Sequence, residues 1–217
     1  MIIDLREIPV VWINLDSATK NAELMQDRFS KFGFKNTHRK SGVVIPPPPN
    51  TDTSIAHFRG CGTSHIQILD DEQYDTPLLV LEDDVEFVDN FNPVLNIPDN
   101  SDGVYLGISH GNVYYGSCRC DENYLRIAGI LAAHAILYVT HAYRKAMSEV
   151  GKYCLYNLNK PWDVGTAGIQ NSFKIYTPNN PLIYQSNDRQ SANKWQNLTD
   201  RPLEDRKTVF AWLLLIY

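Results

Sequence analysis

Leu78-Leu79-Val80-Leu81-Glu82-Asp83-Asp84-Val85-Glu86-Phe87 decides how the chain is read. Four aliphatic residues after Pro77 run straight into three adjacent acids. A short apolar run of this kind predicts a strand buried on both faces of a sheet. The acids then fall at its C-terminal edge, where open α/β sheets bind their ligands. Three neighbouring carboxylates repel one another, and a cation relieves that repulsion. Their hard oxygens suit Mg²⁺ or Mn²⁺, which in turn hold phosphate oxygens. A solvated acidic turn after a core strand is the alternative for these residues taken alone.

The same pattern extends outward on both sides. Val10-Val11-Trp12-Ile13-Asn14-Leu15 predicts a first strand, ended by Asp16 and Ser17, either of which can cap the next segment. Ala22, Met25, Phe29 and Phe32 fall at helical spacing over residues 19–32, and Gly33 supplies a stop. Strand, turn and helix in this order open a nucleotide-binding α/β fold. Asn14 and Asp16, at the strand end, either meet a base or ribose or only shape the turn. Residues 35–44 contain a second short strand. Pro46-Pro47-Pro48-Pro49 is a stiff extended connector, either a surface spacer or the wall of a cleft.

Phe58-Arg59-Gly60-Cys61-Gly62-Thr63-Ser64-His65 leads into a helix capped by Thr63 or Ser64, with Ile66 and Leu69 inward. His65, in its first turn, reads as a structural hydrogen-bonder beneath the site. Residues 91–100, broken by Pro93 and Pro98, read as a loop, and Gly103-Val104-Tyr105-Leu106-Gly107 as a strand. The Gly- and Tyr-rich residues 109–117 are either a sugar-facing loop or a plain surface one. His134 lies in the apolar run 127–139, where a lone histidine is more often core than reactive. Thr140 caps a helix with Ala142, Ala146, Met147 and Val150 inward and Gly151 as its stop. In Lys160-Pro161-Trp162-Asp163, an aromatic face beside a carboxylate suits a pyranose. A core Trp and a helix-capping Asp explain the same residues. Phe173-Lys174-Ile175-Tyr176 is a short strand. Arg189 and Lys194 are isolated cations able to reach a diphosphate, and Phe210-Ala211-Trp212-Leu213-Leu214-Leu215-Ile216-Tyr217 is expected to pack on the core.

The length of 217 residues and an apolar share of 43% predict one domain over residues 1–217 with a sizeable core. A net charge of −5 without a basic block argues against nucleic acid as a partner. The four cysteines include no CxxC pair, so a zinc-ribbon site is not indicated and a reduced, cytoplasmic chain is expected. The early charges argue against a signal peptide, and no apolar stretch is long enough for a membrane span. GxGxxG and GxxxxGK[ST] are both absent, which argues against a dinucleotide enzyme and a kinase or ATPase.

Taken together, the motifs resemble glycosyltransferase family 25, the lipooligosaccharide and collagen galactosyltransferase group. Val11-Trp12-Ile13-Asn14-Leu15-Asp16 resembles the family's "INLD" strand, and Gly60-Cys61-Gly62-Thr63-Ser64-His65 its "GCxxSH" segment. Leu79-Val80-Leu81-Glu82-Asp83-Asp84-Val85 resembles its "ILEDDV" metal motif. His134-Ala135-Ile136-Leu137-Tyr138-Val139-Thr140 resembles "HAYLIT", Pro161-Trp162-Asp163 resembles "PxD", and Gln185-Ser186-Asn187-Asp188 echoes a late "Q…SD". Where the family often carries arginines in its first loop, this chain has Thr19-Lys20-Asn21. The compact size is also similar to the small glycosyltransferase domain of a chlorovirus capsid-glycosylating enzyme, so a place within a larger viral or membrane-associated enzyme is an open expectation.

The resemblance implies a GT-A-type α/β fold, a mixed, mostly parallel sheet flanked by helices on both faces. It implies a UDP-sugar donor of the glucose or galactose type, a glycan or glycoprotein acceptor, and Mn²⁺ or Mg²⁺ as cofactor. Asp84, Glu82 and a late Asp188 would be metal ligands. Asn14, Leu15, Asp16, Asp83, His134 and Trp162 would bind the donor. Asp163 would be the catalytic base. The rivals are another metal-dependent phosphate enzyme, and a carbohydrate-binding module that stacks sugar on Trp162 and Tyr114-Tyr115.

Overall fold

A computed structural model describes residues 1–47, 49, 53–108, 118–131 and 133–185. In chain order the strands are β1 (Ile2–Asp4), β2 (Val10–Asn14), β3 (Thr37–Ser41), β4 (Leu78–Glu82), β5 (Val85–Phe87), β6 (Val94–Asn96), β7 (Gly103–Tyr105), β8 (Cys118–Arg119), β9 (Tyr124–Arg126), β10 (Ala135–Tyr138), β11 (Ile175–Pro178) and β12 (Ile183–Gln185). The helices are α1 (Thr19–Phe32), α2 (Thr53–Leu69), α3 (His141–Tyr156) and α4 (Trp162–Ile169). Among the described residues the main sheet has eight strands, in the order β3-β2-β4-β10-β7-β11-β9-β8. It is mixed: β2 runs parallel to β3 and β4, and β11 runs parallel to β7, while the remaining pairs are antiparallel.

The run that opened the sequence reading is the middle of this sheet. Leu78, Leu79, Val80 and Leu81 are all fully buried, and they alternate between two cores. Leu79 and Leu81 face Met25 and Phe29 of α1, with Phe34, Phe87 and Phe91. Leu78 and Val80 face Ile66 of α2, Tyr143, Met147 and Leu155 of α3, and Trp162 of α4. A strand of period two between two helical layers has to be apolar at every position. Burying each such side chain contributes about 1.5–3 kcal/mol before the entropy of ordering it is counted.

Connectivity places the cleft-forming strand ends. From β2 the chain passes through α1 to β3 on one side, and from β3 through α2 to β4 on the other. Because α1 and α2 lie on opposite faces, the loops leaving β2 and β3 diverge. A crevice opens at such a switch point, outside the C-terminal strand ends. Asn14 and Glu82 are the terminal residues of the adjacent parallel strands β2 and β4, beside that opening.

Several local expectations are corrected. Helix α1 has the expected bounds, with Gly33 left-handed (φ 74°), but its N-cap is Ala18 without a side-chain cap bond. Asp16 is instead held by Arg39 and Ser41. Helix α2 begins at Thr53, so Thr63 and Ser64 do not cap it and His65 lies well inside it. Gly60 and Gly62, which read as loop, are contact points on its packed face. A Cβ on Gly60 would lie 2.4 Å from the Val43 carbonyl oxygen, and one on Gly62 would lie 2.8 Å from Trp162 Cδ1.

Helix α3 keeps its expected Thr140 cap, whose hydroxyl accepts from the Tyr143 amide, but runs through Gly151 to Tyr156. Gly151 faces Trp162 and Ile66 rather than ending the helix. Ala142 is exposed, because the inward face is taken by Tyr143, Arg144, Met147 and Ser148. The Arg144 guanidinium donates to the carbonyls of Ile68 and Leu69 at the end of α2 and of Asp71 and Tyr74 in the loop beyond it, tying both to α3. Residues 91–100 contain β6, which pairs with the unforeseen β1.

Gly107 gives one stability prediction. A Cβ there would sit 1.8 Å from the Ile183 carbonyl oxygen, which is backbone and cannot swing aside. Gly107→Ala should therefore destabilise the fold by about 1–3 kcal/mol, the usual cost of overpacking. Denaturant melts check this, and an unchanged midpoint would contradict the close approach of β12.

Candidate active site

A cleft of about 440 Å³ lies at the switch point. Its wall includes Asn14 and Leu15 after β2, Gly42 and Val43 after β3, Cys61 and Ser64 of α2, and Glu82, Asp83 and Asp84 after β4. Pro47 also lines it, so this residue of the proline connector forms part of a wall. Three lining residues are carboxylates, and no Lys or Arg is among the described residues that line it. The field in the cleft is negative and favours a cation.

Glu82 ends β4, and Asp83 and Asp84 form the turn into β5. The convergence of Glu82 and Asp84 thus comes from a turn rather than from strand alternation. Gln185, at the end of β12, directs its amide nitrogen at both carboxylates: Nε2 lies 3.3 Å from Glu82 Oε2 and 3.4 Å from Asp84 Oδ2. With the Gln185 amide turned aside, these two carboxylate oxygens could hold a hard divalent cation. Burial pushes the Asp84 carboxyl up to about 6, with repulsion from Glu82 and Asp83 adding to it. Burial would also raise Glu82, but its hydrogen bond to His65 and the neighbouring histidines outweigh that, so its carboxyl lies below the ordinary range.

The remaining polar groups fix the frame. Buried Asn14 donates from Nδ2 to Asp83 Oδ2 and to the Ala18 carbonyl, and accepts from Arg39 Nε at 2.8 Å. Arg39 also forms an ion pair with Asp16 at 2.7 Å. That hydrogen bond, with one from Ser41, lowers the Asp16 carboxyl. Asn14 is therefore a strut that sets Asp83, while exposed Leu15 offers an apolar lip to the cleft. Ser64 Oγ accepts from the Val43 amide and donates to the Gly60 carbonyl, tying the β3 loop to α2.

His65 is fully buried and contacts Glu82 Oε1 through Nε2 at 3.0 Å. Its structural role agrees with the sequence reading, although its place in the helix does not. Cys61, one turn earlier, donates from Sγ to the same oxygen at 3.5 Å. Burial, with the charge of Glu82 behind it, raises the Cys61 thiol far above its usual value.

Two expected donor contacts are corrected. Trp162 is 3% exposed and stacks on the His65 ring at 4.5 Å and 27°. It supports the site from below and offers no face to a sugar. His134 is buried, its Nε2 lies 3.3 Å from the Ile183 carbonyl oxygen, and its own carbonyl accepts from the Glu82 amide. For His134 the apolar run around it favoured a core residue, whereas for Trp162 the core and sugar-facing readings stood side by side; packing puts both in the core.

Asp163 stands in the first turn of α4, half-buried, and accepts from the Val164 amide. It does not line the main cleft, but its carboxyl feels Glu82 and His65. Burial is the main cause that lifts it to about 6. Asp188, Arg189, Lys194, Tyr114, Tyr115 and the apolar run 210–217 lie outside the described residues.

Arg39 and Gln185 were not assigned roles from sequence. Arg39 is legible only in retrospect, as the cation that falls beside Asn14 when β3 pairs with β2. Cys120 is exposed, Cys154 buried, and neither is in a disulfide. No helix among the described residues is long and apolar enough to cross a membrane. No protein-family model matches the chain, and no curated protein matches it.

Proposed function

We propose that the protein is a metal-dependent glycosyltransferase that moves a hexosyl unit from a UDP-sugar to a hydroxyl of a glycan or glycoprotein. The observation that carries this reading is the pair of carboxylates, Glu82 and Asp84, converging at a strand switch point in an anionic cleft. A hard cation, Mn²⁺ or Mg²⁺, would be held by Asp84 and Glu82 Oε2. When bound it would supply Lewis-acid stabilisation of the negative charge that develops on the UDP leaving group. Asp83, held by Asn14, would meet the ribose. Leu15 and the backbone of residues 42–44 provide an apolar shelf for a base. Asp163 takes the acceptor hydroxyl proton, and a carboxyl raised to about 6 is near the value a general base needs at neutral pH.

The buried stack of Trp162 on His65 argues against the carbohydrate-binding-module reading, which needed that ring exposed. Against the phosphate-enzyme reading, the test is the product. Mn²⁺, UDP, UDP-glucose and UDP-galactose are titrated together, with and without a glycan acceptor. Binding that requires the metal and is reversed by EDTA, followed by acceptor-dependent release of UDP, is the expected result. Metal-independent binding, or release of inorganic phosphate in place of UDP, would refute it.

A further inference from the structure

Glu82 presents its two oxygens to two different donor sets. Oε2 faces Gln185 and the Asp84 side, all oxygen and amide chemistry. Oε1 faces a thiol and an imidazole. We propose that Cys61 Sγ, His65 Nε2 and Glu82 Oε1 form a second cation site, for a thiophilic divalent ion of the Zn²⁺ class. This proposal does not depend on the donor or on the transfer reaction.

The geometry is close to what such an ion requires. The three ligand atoms all lie within 4.8 Å of one another. Two of the separations are 3.5 Å and 3.0 Å. Tetrahedral zinc, with bonds of about 2.0–2.3 Å, sets ligand atoms roughly 3.3–3.8 Å apart. Small side-chain shifts therefore close the site. Cys61 and His65 are four apart on α2 and project from one face of it, which makes a chelating pair. Trp162 clamps the imidazole plane, so little rotamer freedom is lost on binding.

Access and selectivity follow from the surroundings. Cys61 and Glu82 line the cleft, so an ion can enter from solvent and keep its fourth position open to water. A sulfur, nitrogen and oxygen set prefers Zn²⁺ over Mn²⁺, whereas the Asp84 side prefers the reverse. Binding releases the Cys61 thiol proton to solvent and moves the imidazole proton from Nε2 to Nδ1. That Nδ1 is buried without a hydrogen-bond partner among the described residues. A metal-bound histidine ordinarily gives its other N–H to an acceptor worth about 10–100-fold in affinity, so binding weaker by about that factor than at a fully supported zinc site is expected.

Co²⁺ titrated into the full chain tests the assignment. A thiolate-to-cobalt charge-transfer band should rise to one Co²⁺ per chain and be discharged by one equivalent of Zn²⁺. Cys61→Ser should remove the band, His65→Gln should weaken binding by at least about 10-fold, and Asp84→Ala should leave the band in place. Absence of the band from the unaltered protein would overturn the site. Its persistence in Cys61→Ser, from another cysteine, would do the same, and its loss in Asp84→Ala would overturn the separation into two donor sets. The measurement on the unaltered chain and the His65 variant keep the test decisive should Cys61→Ser fail to fold.

Discussion

Asp84→Ala is expected to abolish Mn²⁺-dependent binding of a UDP-sugar while the protein stays folded. Even residues that only support a metal ligand are worth about 10–100-fold, so loss of a direct ligand should exceed that. Stability should move the other way. Burial and the charges of Glu82 and Asp83 hold the Asp84 carboxyl up at about 6 in the folded protein, against an ordinary value of 3.8. Between those two values the unfolded chain has lost a proton that the folded protein keeps. Stability from this group is therefore present at low pH and lost as pH rises towards 6. At neutral pH the metal-free Asp84→Asn protein should melt no lower than the parent, and its midpoint should lack that fall. Isothermal titration with Mn²⁺ and UDP-glucose reads the first effect, and thermal melts across pH 4–7 read the second. Donor affinity equal to the parent's would remove Asp84 from the metal site. A clear drop in midpoint would make it a structural residue instead.

The second large effect is expected at Asp163. Asp163→Asn should lower kcat by about 10²–10⁴-fold, the usual worth of a positioned general base, with donor affinity retained. The base works only when ionised, and burial holds its carboxyl at about 6. Turnover of the parent should therefore fall as pH drops through 6, and the Asn variant should lose that limb. Saturating Mn²⁺ keeps Asp84 ionised over the same range, so the limb reports Asp163. Its neighbours Glu82 and His65 are unchanged in the variant, which isolates the effect. Equal turnover in the two proteins, or a limb that survives, would assign proton removal elsewhere.

Both predictions concern residues singled out from the sequence, and the reason lies in how local the signals were. Leu78 to Leu81 could be read as a doubly buried strand because an apolar run without alternation has few other uses. Helix α1 could be read to its end because Met25 and Phe29 keep helical spacing up to Gly33. The glycines of α2 misled for a physical reason. Gly60 and Gly62 are small because other backbone and side chains approach them, and a linear sequence does not distinguish that from flexibility. Trp162 misled similarly, since an aromatic beside a carboxylate looks alike whether it faces a sugar or a buried histidine.

From its sequence alone the chain determined an α/β class and a central strand that ends in clustered carboxylates, because hydrophobic periodicity and clustered charge are properties of neighbouring residues. Tertiary structure alone decided which groups meet those carboxylates. Asn14 reaches Asp83 across 69 positions, His65 reaches Glu82 across 17, and Gln185 reaches Asp84 across 101. Hydrogen bonds of about 3 Å between residues so far apart depend on register, crossover and helix placement together, and no local pattern encodes all three.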